Sequence, residues 1–164
     1  MKRVVIVRHA KAVPYGYEDD FNRDLTDRGK NDAALVSSEL KNKGIEPGLF
    51  VSSPAKRAIK TARIFAGNLE YARNRIIENE KIYDGLTTSE FVELIHSLPD
   101  DAQTVFFFGH NPGFHFFVNN LLKKMVSELP TCATIGIDFD TASWKKVEAR
   151  TGDLAFRITP KMLK

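Results

Sequence analysis

Residues 4–10 read Val-Val-Ile-Val-Arg-His-Ala, and this stretch indicates how the chain folds. Four consecutive β-branched residues suit a strand that is buried on both faces of a parallel sheet. Open α/β sheets place their ligand sites at the carboxyl ends of such strands, so Arg8 and His9 follow at a position where a site is expected. A permanently charged guanidinium beside a titratable imidazole suits an anion, and a phosphoryl group is the first candidate.

Strand-like and helix-like segments alternate along the rest of the chain, which predicts a layered α/β fold. Thr26 is a predicted helix N-cap with Gly44 as the stop, and two further helices are predicted to start at Ser53-Pro54 and Asn111-Pro112. A fourth helix is expected over 89–98. The other predicted strands are 49–51, a short edge strand at 75–77, 104–108, 134–139 and 154–159.

Length, charge and cysteine content narrow the classes of protein to consider. The 164 residues fit one domain, 1–164, and the net charge of +3 is too small to indicate a nucleic-acid partner. The basic stretch from Thr141 onward lacks an aromatic ladder and is interpreted as a solvated end. The single cysteine, Cys132, excludes an internal disulfide and suits a reducing compartment. Because no apolar run has signal-peptide or membrane-spanning length, we expect a cytoplasmic protein without a membrane partner.

Three of the predicted strands run directly into polar turns. If these strands are parallel, all three turns lie at one edge of the sheet, and two arginines and two histidines can meet in one pocket. The turns are Arg8-His9, Ser52-Ser53-Pro54 with Arg57, and Gly109-His110-Asn111-Pro112.

Arg57 and His110 each allow two interpretations. Arg57 falls in the first turn of a predicted helix, where a cation opposes the helix dipole unless an anion lies nearby; the alternative is a solvent-facing cation. His110 lies between a buried strand and a helix start, and is either functional or a hydrogen-bonded residue at the edge of the core. His110 and His115 lack a third ligand nearby, so no metal site is predicted.

Four motifs, in order along the chain, resemble the histidine phosphatase superfamily, which includes the phosphoglycerate mutases. The small size and the last motif are most similar to SixA-type phosphohistidine phosphatases. The resemblance implies a three-layer α/β/α sandwich with a mostly parallel central sheet, of the phosphoglycerate mutase-like kind. The motifs are Arg8-His9-Ala10-Lys11-Ala12, Leu25-Thr26 with Gly29, the run 52–62 and Gly109-His110-Asn111-Pro112-Gly113.

The resemblance implies that His9 is the nucleophile and carries the phosphoryl group as a transient phosphohistidine. Arg8, Arg57 and His110 then surround the phosphoryl oxygens and stabilise their charge in the transition state. Arg23 is a further candidate for phosphate binding, with a surface arginine as the alternative. Because side chains supply the positive charge, neither a metal nor a cofactor is expected.

The general acid is open. Glu80 falls where the mutase branch carries its acidic residue, Asp84 is a rival, and both are alternatively plain surface carboxylates. An imidazole leaving group, with a pKa near 6.5 when protonated, departs without strong acid assistance, whereas an alkoxide requires it. The uncertain acid therefore favours a phosphohistidine or another reactive phosphate.

The leading hypothesis is a phosphatase that acts on a phosphorylated protein, such as a histidine-phosphorylated signalling domain, or on a small phosphorylated metabolite. A small phosphomutase is an alternative, although 164 residues leave little room for the extra segments of its larger relatives. A non-catalytic phosphate- or phosphoprotein-binding module on the same fold is the other. The loop from Pro14 to Asp24 is the candidate for shaping the mouth of the pocket, and its acidic cluster is alternatively a solvated turn.

Overall fold

The computed structural model describes residues 1–14, 16 and 19–164. One part of the loop singled out above, including Glu18 of its acidic cluster, lies outside the described residues. The strands are β1 (Lys2–Arg8), β2 (Leu49–Ser52), β3 (Ile77–Glu78), β4 (Thr104–Gly109), β5 (Thr134–Phe139) and β6 (Asp153–Ile158). The α-helices are α1 (Asp27–Asn42), α2 (Lys56–Asn68), α3 (Glu80–Asp84), α4 (Thr88–His96) and α5 (Gly113–Leu121).

Six strands form one sheet in the order β3-β2-β4-β1-β5-β6. Strands β3, β2, β4 and β1 are parallel to one another. Strand β5 pairs antiparallel with β1, and β6 pairs antiparallel with β5. Helices cover both faces, so the predicted α/β class with a mostly parallel central sheet and three layers is confirmed.

Strand β1 explains the layering. Val5 and Val7 pack into a cluster with α1 and α2, whereas Val4 and Ile6 pack into a second cluster with α4 and α5. All four side chains are fully buried, as expected for successive residues that point to opposite faces of a covered sheet. The apolar run at the start of the chain therefore makes the centre of both cores.

Helix α1 begins as predicted, because the Thr26 hydroxyl accepts a hydrogen bond from the Gly29 amide. The edge strand exists but lies at Ile77–Glu78, after a 3-10 turn at Arg73–Arg75. Helix α3 was not predicted; at five residues it is too short to show a period. No helix in the described part of the chain is long and apolar enough to cross a membrane.

Two predicted helix starts are wrong, that of α2 by two residues and that of α5 by one. Helix α2 begins at Lys56 instead of Pro54, because the Ser53 side chain bonds to His110 and to the Ala55 amide and does not cap the helix. Helix α5 begins at Gly113, because the Asn111 side chain donates to the Leu129 carbonyl. In both places a residue type that suits a helix cap makes a contact at the sheet edge.

Candidate active site

The three polar turns meet at one edge of the sheet. Strands β1, β4 and β2 are parallel neighbours, with Arg8 opposite Gly109 and Ser52 opposite Phe108 in the register. The residues that follow these strand ends therefore lie side by side. The rings of His9 and His110 are 5.3 Å apart between centroids. The predicted convergence of the turns is confirmed as geometry.

His9 is buried and held in one tautomer. Its Nδ1 lies 2.7 Å from the Ala10 carbonyl oxygen, and because that oxygen can only accept, Nδ1 carries the proton. The other ring nitrogen, Nε2, is left with its lone pair. The pKa of His9 is lowered to about 4, mainly by burial; the hydrogen bond to Ala10 raises it, and the charges of Arg57 and Arg8 lower it. At neutral pH the imidazole is uncharged and suited to nucleophilic attack.

The backbone on both sides of His9 is fixed. Its amide donates to the Gly109 carbonyl at 2.9 Å, and its carbonyl accepts from the Cys132 amide at 3.0 Å. The next amide, of Ala10, donates to the Thr61 hydroxyl of α2. These bonds connect the residue to β4, to the start of β5 and to α2, so its position is determined by three elements.

His110 is oriented by Ser53. Its Nε2 lies 2.8 Å from the Ser53 hydroxyl oxygen, which also accepts from the Ala55 amide. The hydroxyl proton has no other acceptor among the described residues, which favours donation to Nε2 and places the imidazole proton on Nδ1. Burial lowers the pKa of His110 to about 3, with a contribution from His9 and Arg57. The ring is therefore a neutral donor through Nδ1.

Arg8 and Arg57 are fixed through their outer nitrogens. Arg8 Nη1 donates to the Leu129 carbonyl at 3.0 Å. Arg57 is only 5% exposed, and its Nη1 and Nη2 donate to Asp20. Desolvation lowers the pKa of Arg8, although its guanidinium stays charged. Arg57 is the second residue of α2, where a cation costs about 0.3–1 kcal/mol against the helix dipole unless an anion offsets it.

Three buried donors of the residues at this sheet edge have no hydrogen-bond partner among the described residues: Arg8 Nε, Arg57 Nε and His110 Nδ1. A buried polar group that stays unpaired costs about 1–3 kcal/mol, so such a cluster is rare unless a ligand uses it. Two of the three donors are positively charged. The arrangement suits an anion with several acceptor oxygens, and a phosphoryl group has this chemistry.

Asp20 is a member of the site that the sequence did not reveal. Its carboxylate accepts from Arg57, from Arg23 Nε at 3.0 Å and from the Tyr83 hydroxyl at 2.9 Å. Desolvation raises the pKa of this carboxyl, but the hydrogen bonds from Tyr83, Arg57 and Arg23 lower it to about 2. The only sequence signal was an acidic residue three positions before Arg23, inside a run that was equally consistent with a solvated turn.

Arg23 is brought to the site through Asp20. Its Nη1 also donates to the Val13 carbonyl at 3.1 Å, and its charge contributes to the lowered pKa of both His9 and His110. Its side chain is about 20% exposed. Its role in phosphate binding stays a prediction.

The two candidate acids differ in location. Glu80 is exposed at the first position of α3 and makes no hydrogen bond or ion pair within the described part of the chain. Asp84 is also exposed, but it lines a cavity of about 390 Å³ that His110 and Tyr83 line as well. The role of either carboxylate as an acid stays a prediction. Residues 1–14, 16 and 19–164 contain no cluster of three or more His, Cys, Asp or Glu side chains placed to hold a metal ion.

Known proteins share both the sequence pattern and the fold. A family model described as histidine phosphatase superfamily, branch 1, matches residues 4–107. Serine/threonine-protein phosphatase Pgam5 of Drosophila yakuba, described as mitochondrial, is 26% identical over 102 residues, which are 62% of this chain and 35% of that protein. Phosphoserine phosphatase 1 of Hydrogenobacter thermophilus is 35% identical over 100 residues, 57% of this chain and 46% of that protein. The matches thus span about a third to a half of these relatives.

A solved structure described as the protein histidine phosphatase SixA complexed with tungstate superposes with a TM-score of 0.85. The superposition covers 99% of each chain at 21% identity, so it confirms the phosphoglycerate mutase-like fold. The family match, in contrast, rests on sequence and extends over well over half of the residues, including the first two strand ends of the site. The chain belongs to branch 1 of the histidine phosphatase superfamily.

Proposed function

We propose that this chain is a phosphatase that hydrolyses a phosphohistidine protein or a small phosphoester through a covalent phosphohistidine on His9. One observation carries the proposal: an uncharged His9, with its Nε2 lone pair free, lies 5.3 Å from the His110 ring at a sheet edge whose residues supply three buried donors that no described residue satisfies. In this proposal His9 is the nucleophile, and the three donors stabilise the negative charge of the phosphoryl oxygens.

In the first step, the His9 Nε2 lone pair attacks phosphorus and the bond from phosphorus to the leaving group breaks. Arg8 Nε, Arg57 Nε and His110 Nδ1 donate to the phosphoryl oxygens, which carry the most charge in the transition state. In the second step, water attacks the phosphohistidine, the P–N bond breaks, and the electron pair returns to Nε2. One proton of the water passes to the solvent, and inorganic phosphate is released.

The leaving group determines how much acid assistance the first step requires. Asp20 does not supply a proton at neutral pH, because a carboxyl with a pKa of about 2 is ionised there. The Tyr83 hydroxyl donates a hydrogen bond to Asp20, and this bond raises the pKa of the phenol. Phosphohistidine needs less assistance than an alkyl phosphate, because a phosphohistidine protonated at its other ring nitrogen releases neutral imidazole, a much weaker base than an alkoxide.

The relatives support the same proposal. The solved structure similar over its whole length is named a protein histidine phosphatase, and it was determined with tungstate, a tetrahedral oxyanion like phosphate. The curated relatives act, by their names, on phosphoserine or on phosphorylated serine and threonine proteins. The first proposed substrate is accordingly a phosphorylated protein, in particular a histidine-phosphorylated domain. The second is a small phosphorylated metabolite.

The proposal is tested by labelling. We expect that incubation with ³²P-labelled phosphoimidazole gives an acid-labile, base-stable label on His9 and continuous release of phosphate. His9→Ala is expected to abolish both the label and the release while the circular dichroism spectrum stays unchanged. A wild-type protein that takes no label and releases no phosphate contradicts the proposal, and tungstate binding without turnover then identifies a non-catalytic binding module.

A further inference from the structure

The carboxylate of Asp20 is partly exposed, and yet it accepts several hydrogen bonds from charged and polar side chains. It lies in a short 3-10 turn, Asp20–Asn22, and its side chain is about one-third exposed. Nevertheless it accepts hydrogen bonds from two arginines and one tyrosine, which come from three separate parts of the chain. The proposed chemistry does not use this group as a nucleophile, acid or base.

The contacts with Arg57 have a directional consequence. A guanidinium has five N–H donors in a rigid plane, and Asp20 accepts from both outer nitrogens, Nη1 through its carbonyl at 2.6 Å and Nη2 through Oδ2 at 3.1 Å. With its outer nitrogens bound in this way, the plane of the guanidinium is fixed. Of the donors that remain, Nε is buried and unpartnered among the described residues, as Arg8 Nε and His110 Nδ1 are.

The same carboxylate fixes a second cation. Oδ1 accepts from Arg23 Nε at 3.0 Å and lies 2.9 Å from Arg23 Nη2, so this arginine is bound side-on to the oxygen that Arg57 does not use. Each carboxylate oxygen thereby holds one guanidinium. The charges of Arg57 and Arg23 both lower the pKa of His9 and of His110.

The turn that carries Asp20 is itself anchored. Asp19 caps it, with its Oδ1 accepting from the Asn22 amide at 3.0 Å. Phe21 packs edge-on against Tyr83, with ring centroids 5.2 Å apart, and Tyr83 donates to Asp20 Oδ2. The position of the carboxylate is thus set by the turn and by α3, and it does not depend on the arginines alone.

We propose that Asp20 is a positioning residue of the phosphoryl site: its carboxylate holds the outer faces of Arg57 and Arg23 so that their positive charge, and Arg57 Nε in particular, is directed at the phosphoryl oxygens. This inference rests on the proposed phosphatase function. It gives the loop between β1 and α1 an indirect role in catalysis, in which Asp20 acts through the arginines and does not contact the substrate. Asp20 neutralises only part of the positive charge of the site. Arg8, Arg23 and Arg57 carry three positive charges against its one negative charge, so a net positive charge remains for a dianionic phosphoryl group.

The experiment compares Asp20→Asn with Asp19→Asn. Both variants remove one negative charge, at adjacent positions, but only the first removes a carboxylate that binds the arginines, and asparagine at 19 keeps a capping side chain. Tungstate affinity is measured by calorimetry, which needs no turnover, and kcat and KM are measured with phosphoimidazole.

We expect Asp20→Asn to weaken tungstate binding about tenfold and to lower kcat by about tenfold or more, because misdirected guanidinium donors fail most in the transition state. Asp19→Asn is expected to stay within about twofold of wild type in both. Asp20→Glu keeps the charge and both oxygens and is expected to lie between Asp20→Asn and wild type. Both properties are measured at a temperature well below the thermal midpoints of both variants, which separates positioning from a general loss of stability.

Two outcomes overturn the inference while the proposed function stands. If wild type is labelled on His9 and Asp20→Asn behaves like Asp19→Asn, the carboxylate does not position the arginines. If Asp20→Asn binds tungstate more tightly and keeps its kcat, Asp20 competes with the phosphoryl group instead. A wild type without label, turnover or tungstate binding overturns the proposed function itself, and with it the inference.

Discussion

At the scale of single residues, Glu80 and Asp84 are the carboxylates from which a leaving-group proton can come. Glu80 was the first candidate, on the basis of its position relative to the family motif. The fold leaves it exposed at the start of α3, whereas Asp84 lines the cavity beside His110. The choice between them depends on the leaving group, since imidazole requires little assistance and an alkoxide requires much.

Glu80→Gln and Asp84→Asn test this choice. We expect both variants to hydrolyse phosphoimidazole within about twofold of wild type, because the leaving group departs without an acid. On an alkyl phosphate, the variant that lacks the acid is expected to lose activity about 10²-fold, in the usual range for general acid catalysis. Steady-state rates on the two substrates give the answer. Equal rates on the alkyl phosphate for both variants and wild type exclude either residue as the acid.

At the scale of elements, the segment between β2 and α2 shows how a local preference was overridden. A serine followed by proline predicts a helix start, but Ser53 instead links the Ala55 amide to His110 at the end of β4. Helix α2 consequently begins at Lys56 without a side-chain cap. The turn therefore serves to orient the second histidine of the site, at some cost to the helix end.

Ser53→Ala is expected to lower kcat about tenfold, because His110 loses the partner that places its proton on Nδ1. It is also expected to destabilise the fold by about 1 kcal/mol, since a buried hydroxyl bond is lost. Ser37→Ala is the matched control: Ser37 is fully buried in α1 and its hydroxyl bonds to the Ala33 carbonyl at 2.7 Å. Urea unfolding is expected to show a similar loss for both variants, and kinetics a loss for Ser53→Ala alone. Equal kcat values contradict the assigned role.

At the scale of the whole molecule, the fold holds two histidines uncharged next to arginines. The pKa of His9 is about 4 and that of His110 about 3, mainly because both rings are buried, whereas an unfolded histidine titrates near 6.5. Below pH 6.5 the unfolded chain therefore binds protons that the native state does not. The stability that the two uncharged histidines contribute is fully present above pH 6.5. It is lost as the pH falls from there toward their native pKa values.

We expect the free energy of unfolding to fall between pH 7.5 and pH 5 by about 2 kcal/mol for each of the two histidines, from 1.5 units at 1.36 kcal/mol per unit. Asp20, with a native pKa of about 2, loses its contribution only below its unfolded value near 3.8, outside this window. Urea denaturation at the two pH values measures the change. His9→Gln is expected to show a smaller pH dependence than wild type, and an unchanged dependence in that variant contradicts the burial effect on His9.

Several properties of this protein follow from its sequence alone. The run of β-branched residues at 4–7 predicts a strand covered on both faces, because no polar side chain interrupts it, and the alternation of segments predicts the layered α/β fold. The polar turns after three such strands predict where Arg8, His9, Arg57 and His110 meet. These inferences succeed because parallel strands bring their carboxyl ends to one edge of a sheet.

Only the tertiary structure reveals how those side chains are held. Asp20 reaches Arg57 across 37 positions of the chain, Tyr83 reaches Asp20 across 63, and Ser53 reaches His110 across 57. A carboxylate in a polar loop and a serine before a proline look the same in a sequence whether they face water or a buried guanidinium or imidazole. Which partner they find depends on the packing of distant elements, and that packing decides the tautomers, the pKa values and the direction of the donors at the site.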